Sequence, residues 1–169
     1  MKKTILLLSI LIISSSNLYS QNSDYTLSTG IGLSYFNEDT QDASPVGVSF
    51  SLSVYNFYFG FASNLAKGKG EELDYSSSET YNANKTSVAV INFGYIIDLN
   101  KFGIVPLIGY GSSRKIYEDP ISFDTYFYGD RVSKINFGVK GMYFINDTIG
   151  ITLGIGTYEM LTAAINFRF

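Results

Sequence analysis

The sequence predicts an all-β chain, closed into an antiparallel up-and-down transmembrane β-barrel of about eight strands. Three observations carry this. Period-two alternation recurs after Ser20, with no convincing helical periodicity anywhere. The connections between alternating stretches are long and short in turn. The face opposite the large apolar residues is built mostly of Gly, Ser, Ala and Asn, where a water-facing surface would carry abundant Lys, Glu, Asp and Arg.

The first stretch, Tyr25 to Tyr35, sets Tyr25, Leu27, Thr29, Ile31, Leu33 and Tyr35 against Thr26, Ser28, Gly30, Gly32 and Ser34. The second, Val46 to Val54, sets valine, phenylalanine and leucine against Gly47 and three serines, and the third sets Phe57, Phe59 and Phe61 against Tyr58, Gly60, Ala62 and Asn64. The fourth, irregular at its start, sets Ile91, Phe93, Tyr95, Ile97 and Leu99 against Asn92, Gly94, Ile96 and Asp98. The fifth, Ile104 to Gly111, is the weakest, because Pro106 lacks a ladder donor. The sixth sets Ile135, Phe137, Val139, Gly141 and Tyr143 against Lys134, Asn136, Gly138, Lys140 and Met142. The seventh sets Ile149, Ile151, Leu153 and Ile155 against glycines and Thr152, and the eighth runs from Leu161 to Phe169. Long connections span Asn37 to Pro45, Ala66 to Lys85 and Ser112 to Asp130. Short ones fall at Tyr55-Asn56, Asn100-Lys101 and Asn146-Asp147, and the connection around Thr157 to Met160 is brief where length is expected.

Alternation alone does not say which face is inside, and a secreted soluble barrel with a lipocalin-like ligand cavity would turn the apolar face inward. The small opposite face fits the crowded lumen of an eight-stranded barrel instead. Aromatics near strand ends, at Tyr25, Phe57, Tyr143, Phe167 and Phe169 below and Tyr35 and Tyr110 above, fit interfacial girdles. Strands tilted by about 40° advance roughly 2.5 Å per residue, so about ten residues cover an apolar band some 25 Å tall.

Residues 1–20 read as a cleaved signal peptide: Lys2 and Lys3, an apolar run from Ile5 to Ile13 broken by Ser9, and a polar end at Ser20. The run is too short for a spanning helix, which needs about 20 apolar residues. The barrel domain is then 21–169, exported through the periplasm to the bacterial outer membrane. Removing the leader leaves 10 basic against 15 acidic residues, a balance unsuited to nucleic acid. The absence of Cys excludes a thioether-anchored lipoprotein and a disulfide-stapled domain.

The terminal Ala163-Ala164-Ile165-Asn166-Phe167-Arg168-Phe169 alternates toward a final aromatic. It resembles the last strand of Gram-negative outer-membrane barrels, whose final aromatic is read by the barrel-assembly machinery. Phe169, with Phe167, is the assembly signal that this resemblance implies. Deleting Phe169 is expected to lower the amount inserted in cells while leaving the folded barrel's stability unchanged; normal surface levels of the truncated chain would count against this role. The whole of Gln21 to Phe169 is similar to the small barrels typified by the OmpA transmembrane domain and OmpX-like proteins. The Tyr19-Ser20-Gln21 leader end and the abundant Asn, Ser, Ile and Lys resemble Bacteroidetes-type secreted proteins. Because the chain ends at Phe169, no peptidoglycan-binding domain is expected.

No His and no Cys are present, so imidazole bases, thiolates and the commonest zinc, haem and Ser-His sites lose their usual members. Small barrels that modify lipid A use a His with a Ser, so that resemblance fails. Glu71-Glu72 and Glu118-Asp119 read as solvated loop acids rather than a catalytic pair. Gly68-Lys69-Gly70 and Gly109-Tyr110-Gly111 precede no helix and are no phosphate loop. Glu38, Asp39 and Asp42 lack the spacing of a calcium loop. No enzyme activity, cofactor or metal is expected.

Two regions carry functional expectations. Asp98, Lys140 and Arg168, with Asn92, Asn136 and Asn166, share the lumenal parity. Confined charges need partners, so Asp98 is expected to neutralise Lys140 or Arg168 and the asparagines to complete a plug. In Arg114 to Tyr128, a turn at Glu118-Asp119-Pro120 would pair Ile121 to Tyr128 back on Ser112 to Tyr117, extending two strands above the membrane. Its aromatics Tyr117, Phe123, Tyr126, Phe127 and Tyr128 form a candidate interaction loop, with rim packing as the alternative. A projecting edge of this kind recruits foreign strands, the role in adhesion that the OmpX-like resemblance implies. The expected function is envelope structure or surface interaction, and the competing reading is a narrow passive pore. Expected partners are outer-membrane lipid and lipopolysaccharide, the assembly machinery and an extracellular protein, with the barrel a monomer.

Overall fold

A computed structural model describes residues 27–38, 43–73, 82–119, 121 and 124–169. The expected signal peptide, Tyr25, Asp39, Asp42 and Phe123 lie outside these residues. Ten strands follow in order: β1 (Leu27–Phe36), β2 (Val46–Val54), β3 (Phe57–Ser63), β4 (Glu71–Glu72), β5 (Asn82–Tyr95), β6 (Ile97–Leu99), β7 (Phe102–Glu118), β8 (Thr125–Phe144), β9 (Ile149–Gly156) and β10 (Glu159–Arg168). β5 and β6 are one barrel strand interrupted at Ile96, and β4 is a short outlier paired parallel with the start of β8. With β5 and β6 counted as one and β4 left aside, eight antiparallel strands follow in sequence, closed by β1 against β10. This is the predicted closed barrel.

The hydrogen-bond register fixes its dimensions. Starting at Tyr143 and stepping across each pairing through Ile151, Ile165, Ile31, Phe50, Phe61, Ile91 and Tyr110, the path returns to β8 at Ile135, eight residues from its start. Eight strands with that stagger tilt by about 35° and enclose a radius of roughly 7.5 Å, room for side chains and little else. Every residue on this path is a large apolar side chain on the outer wall, and most are well exposed there. The lower rim carries edge-on aromatic pairs, Phe57 with Tyr95 at 5.8 Å between ring centroids and a tilted Phe102–Tyr143 pair at 5.9 Å.

Local chemistry explains the irregularities. The β5–β7 ladder stops at Gly94↔Leu107 and resumes in β6 at Ile97↔Ile104, so the break faces Pro106, which has no N–H to offer. Asn100 takes a positive φ of 69° in the tight Asn100-Lys101 turn, a conformation Asn tolerates well. The long connections shrink where strands continue above the barrel: Asn82 pairs with Glu118, and Glu118 with Tyr126. The β7–β8 hairpin therefore projects, but its turn lies past Glu118: Tyr117 pairs with Phe127 and Ser112 with Ser133, which corrects the expected pairing of Ile121 to Tyr128 on Ser112 to Tyr117. β5 extends alongside it further than its irregular start suggests.

The lumen is filled in layers. One apolar cluster joins Phe36, Ala62, Val88, Val90 and Tyr158; another joins Tyr58, Val105, Leu107, Met142 and Phe144, with Ile96 against it. Between these large residues the lumen is polar. The inner face is thus less uniformly small than alternation in the strand cores implies.

Candidate functional site

The lumenal polar belt is organised by a carboxylate that alternation assigns to the wrong face. Glu159 has the parity of the outward Leu161 and Ala163, yet it is buried inside the barrel. The cause is a β-bulge. Tyr35 pairs with Leu161 but Phe36 pairs with Glu159, so β10 carries one extra residue and Met160 and Leu161 both face outward. Strand β10 therefore starts at Glu159, inside the Thr157 to Met160 segment that reads as a turn.

Glu159 accepts hydrogen bonds from Ser34 Oγ at 2.5 Å, Thr162 Oγ1 at 2.7 Å and Asn92 Nδ2 at 2.6 Å. Lys140 Nζ stands 3.4 Å from its carboxylate, donates to the Tyr58 hydroxyl at 3.2 Å and lies 5.4 Å from the centre of the Tyr58 ring. Asn136 donates to Asn92 Oδ1 at 2.8 Å and accepts from the Tyr158 and Glu159 backbone N–H groups. The space for this comes from glycine: a Cβ at Gly154 would lie 2.5 Å from the Lys140 side chain, and one at Gly109 would lie 2.1 Å from Asn92 Oδ1. A buried ion pair needs such supplementary hydrogen bonds to offset desolvation.

Of the six residues expected in the belt, Lys140, Asn92 and Asn136 are brought together. Asn166 is buried separately, donating to Thr152 Oγ1 at 2.5 Å. The pairing expected of Asp98 is corrected: Lys140 takes Glu159. The ion pairs among the described residues, Lys85–Glu118, Lys134–Glu38 and Lys140–Glu159, include neither Asp98 nor Arg168. Asp98 is exposed, at the end of the barrel where the short turns lie, although its register partner Gly103 does face the lumen. Parity fixes the side of a strand and not the depth, and water solvates a charge at the open end. Arg168 lies over the Phe144 ring, with Cζ 3.6 Å from its centre.

The projecting hairpin is the second region. Tyr117 stacks on Phe127 at 4.8 Å with rings 4° from parallel, and Tyr126 meets Tyr128 edge-on at 5.6 Å. Glu118 is not a solvated loop acid. It is buried, paired with Lys85 Nζ at 2.7 Å, and accepts from the Lys69 backbone N–H, which draws the segment after β3 onto the hairpin. β4 then pairs with Thr125 and Tyr126, and Tyr126 donates to Glu72. Burial first, then Tyr128 and Glu72, push the Tyr126 phenol above its ordinary pKa, in keeping with its role as a donor to Glu72. Phe167 and Phe169 sit exposed on the lower outer rim.

A closed eight-stranded barrel with its apolar side chains outside and its buried ion pair inside is the transmembrane kind of barrel. Among solved structures it resembles Ail, the attachment invasion locus protein of Yersinia pestis, with a TM-score of 0.57 and 12% identity over 87% of this chain and 100% of that one. Ail in complex with the heparin analogue sucrose octasulfate aligns with a TM-score of 0.51, at the same identity and coverage. Neisserial surface protein A aligns at 0.40, with 11% identity over 86% of this chain and 96% of that one. At these identities the likeness is one of fold. No protein-family model matches the sequence, and no curated protein matches it significantly.

Proposed function

We propose that this is a non-enzymatic outer-membrane protein that acts in surface interaction, with the β7–β8 hairpin as its adhesive element and an extracellular protein segment as its partner. The observation that carries the reading is an open sheet edge. On the side away from β7, β8 pairs with β4 only at Thr125 and Tyr126 and with β9 only from Gly138 onward. Among the described residues no strand occupies that side from Tyr128 to Ile135, and Asp130 to Ile135 are exposed. Phe137 exchanges hydrogen bonds with Thr157 on this side, so by alternation Ser133 also directs its N–H and C=O toward the open edge. An extended peptide can add there. The packed lumen favours this over a passive pore.

Ser133→Pro removes one edge donor without touching the β7 ladder. It is expected to lower binding to host-cell surfaces at least severalfold in cells displaying the protein, whereas Ser133→Ala leaves binding unchanged, at equal surface levels. Equal binding by displaying cells and by empty-vector cells would overturn the reading.

A further inference from the structure

On the outer wall, two rows above the Tyr110↔Ile135 pair, Arg114 and Arg131 are directly opposed across β7 and β8, with Ser87 completing the row on β5. Like charges so placed repel. Neither arginine belongs to an ion pair among the described residues, and Arg114 Nε is buried without a hydrogen-bond partner. Together with Ser112 and Tyr128 they line a cavity of about 210 Å³. In a chain with an excess of acidic residues, two arginines share one register position and one cavity, and among the described residues neither is paired with a carboxylate.

We propose that this cavity binds the phosphate group of an anionic membrane lipid headgroup. A tetrahedral oxyanion between the two guanidinium groups removes their repulsion and supplies the acceptor that Arg114 Nε lacks, in the paired geometry that arginine gives to phosphate. Tyr128, Ser87 and Ser112 offer hydroxyl donors to the remaining oxygens. Height and direction select the lipid over a free ion. Arg114 lies four residues beyond Tyr110, about 10 Å along the barrel axis. Long arginine arms there reach a headgroup layer roughly 5–7 Å deep, and both arginines share the outward parity of Tyr110 and Ile135, the side on which headgroups stand.

The proposal rests on the outer wall facing lipid and not on the adhesive edge. It is tested on the full protein refolded in detergent, by native mass spectrometry with added phosphatidic acid, phosphatidylcholine or inorganic phosphate. Phosphatidic acid should be retained in preference to phosphatidylcholine, and Arg114→Gln with Arg131→Gln should weaken that retention at least tenfold. Without lipid, the double variant should unfold no more readily than the parent, because a repulsion has been removed, and phosphatidic acid should raise the melting temperature of the parent alone. Equal retention by parent and variant would overturn the site. Equal saturation by inorganic phosphate would overturn the lipid assignment. Because retention is read on purified protein without cells, a loss of phosphatidic acid in the variant bears on this site alone, and the Ser133→Pro result on cells bears on the adhesive reading alone.

Discussion

Replacing Glu159 with Ala is expected to destabilise the barrel by about 3–5 kcal/mol, the range seen when one member of a buried ion pair is removed. The loss is large because several groups depend on this carboxylate. Lys140 would keep a charge in a space closed to water, and Ser34, Thr162 and Asn92 would lose their common acceptor. Changing Glu159 and Lys140 together to Met should recover most of the loss, since apolar replacements of similar volume remove the desolvation cost as well as the attraction. Urea unfolding of refolded protein in lipid vesicles measures both. A single variant as stable as the parent would mean that water reaches the belt, and steady conductance of the parent in planar bilayers would agree with that outcome.

Ile165→Arg should cost about 2–4 kcal/mol near the bilayer midplane. Ile165 stands in the outward row Ile31, Ile165, Ile151, flanked on both sides by apolar side chains that offer a guanidinium no partner. Ile165→Val should cost little, because the outer wall contacts fluid lipid rather than a close-packed core. The same unfolding assay, run in vesicles and compared with a refolding yield, tests this. If Ile165→Arg matched Ile165→Val, the apolar wall would not be embedded in hydrocarbon.

Strand number, closure and the facing of most residues were legible because each rests on a local signal. Ile135 to Tyr143 alternate cleanly, the short turns carry Asn at Asn56, Asn100 and Asn146, and the Glu118-Asp119-Pro120 signal announces a projecting hairpin, although Glu118 itself stays in the ladder opposite Tyr126. Even the Pro106 strand was readable, since the break it imposes is taken up by the neighbouring strand at Ile96. Glu159 was not legible. Its facing depends on one extra residue in β10, and a bulge is specified by how two distant strands meet rather than by the sequence around it. Asp98 failed for a different reason: its side of the strand was correct, but its solvation depends on how far the barrel extends past it. Glu118 looked like a loop acid because Lys85, its partner, lies in a strand that begins earlier than its own pattern shows.

The Glu159 carboxylate draws its donors from separate parts of the chain: Ser34 on β1, Asn92 on β5, Lys140 on β8 and Thr162 on β10. The first and last strands of the barrel meet at the β1–β10 seam, and the Ser34–Glu159 hydrogen bond crosses it. While the seam is open, water can still solvate the acid and the ammonium, so neither has been forced to surrender its hydration. Once the seam shuts, every partner must already be in place or a charge is stranded. The belt therefore works as a proofreading lock on closure, admitting the register that brings Glu159 to Ser34 and penalising a sheet that slips along the seam.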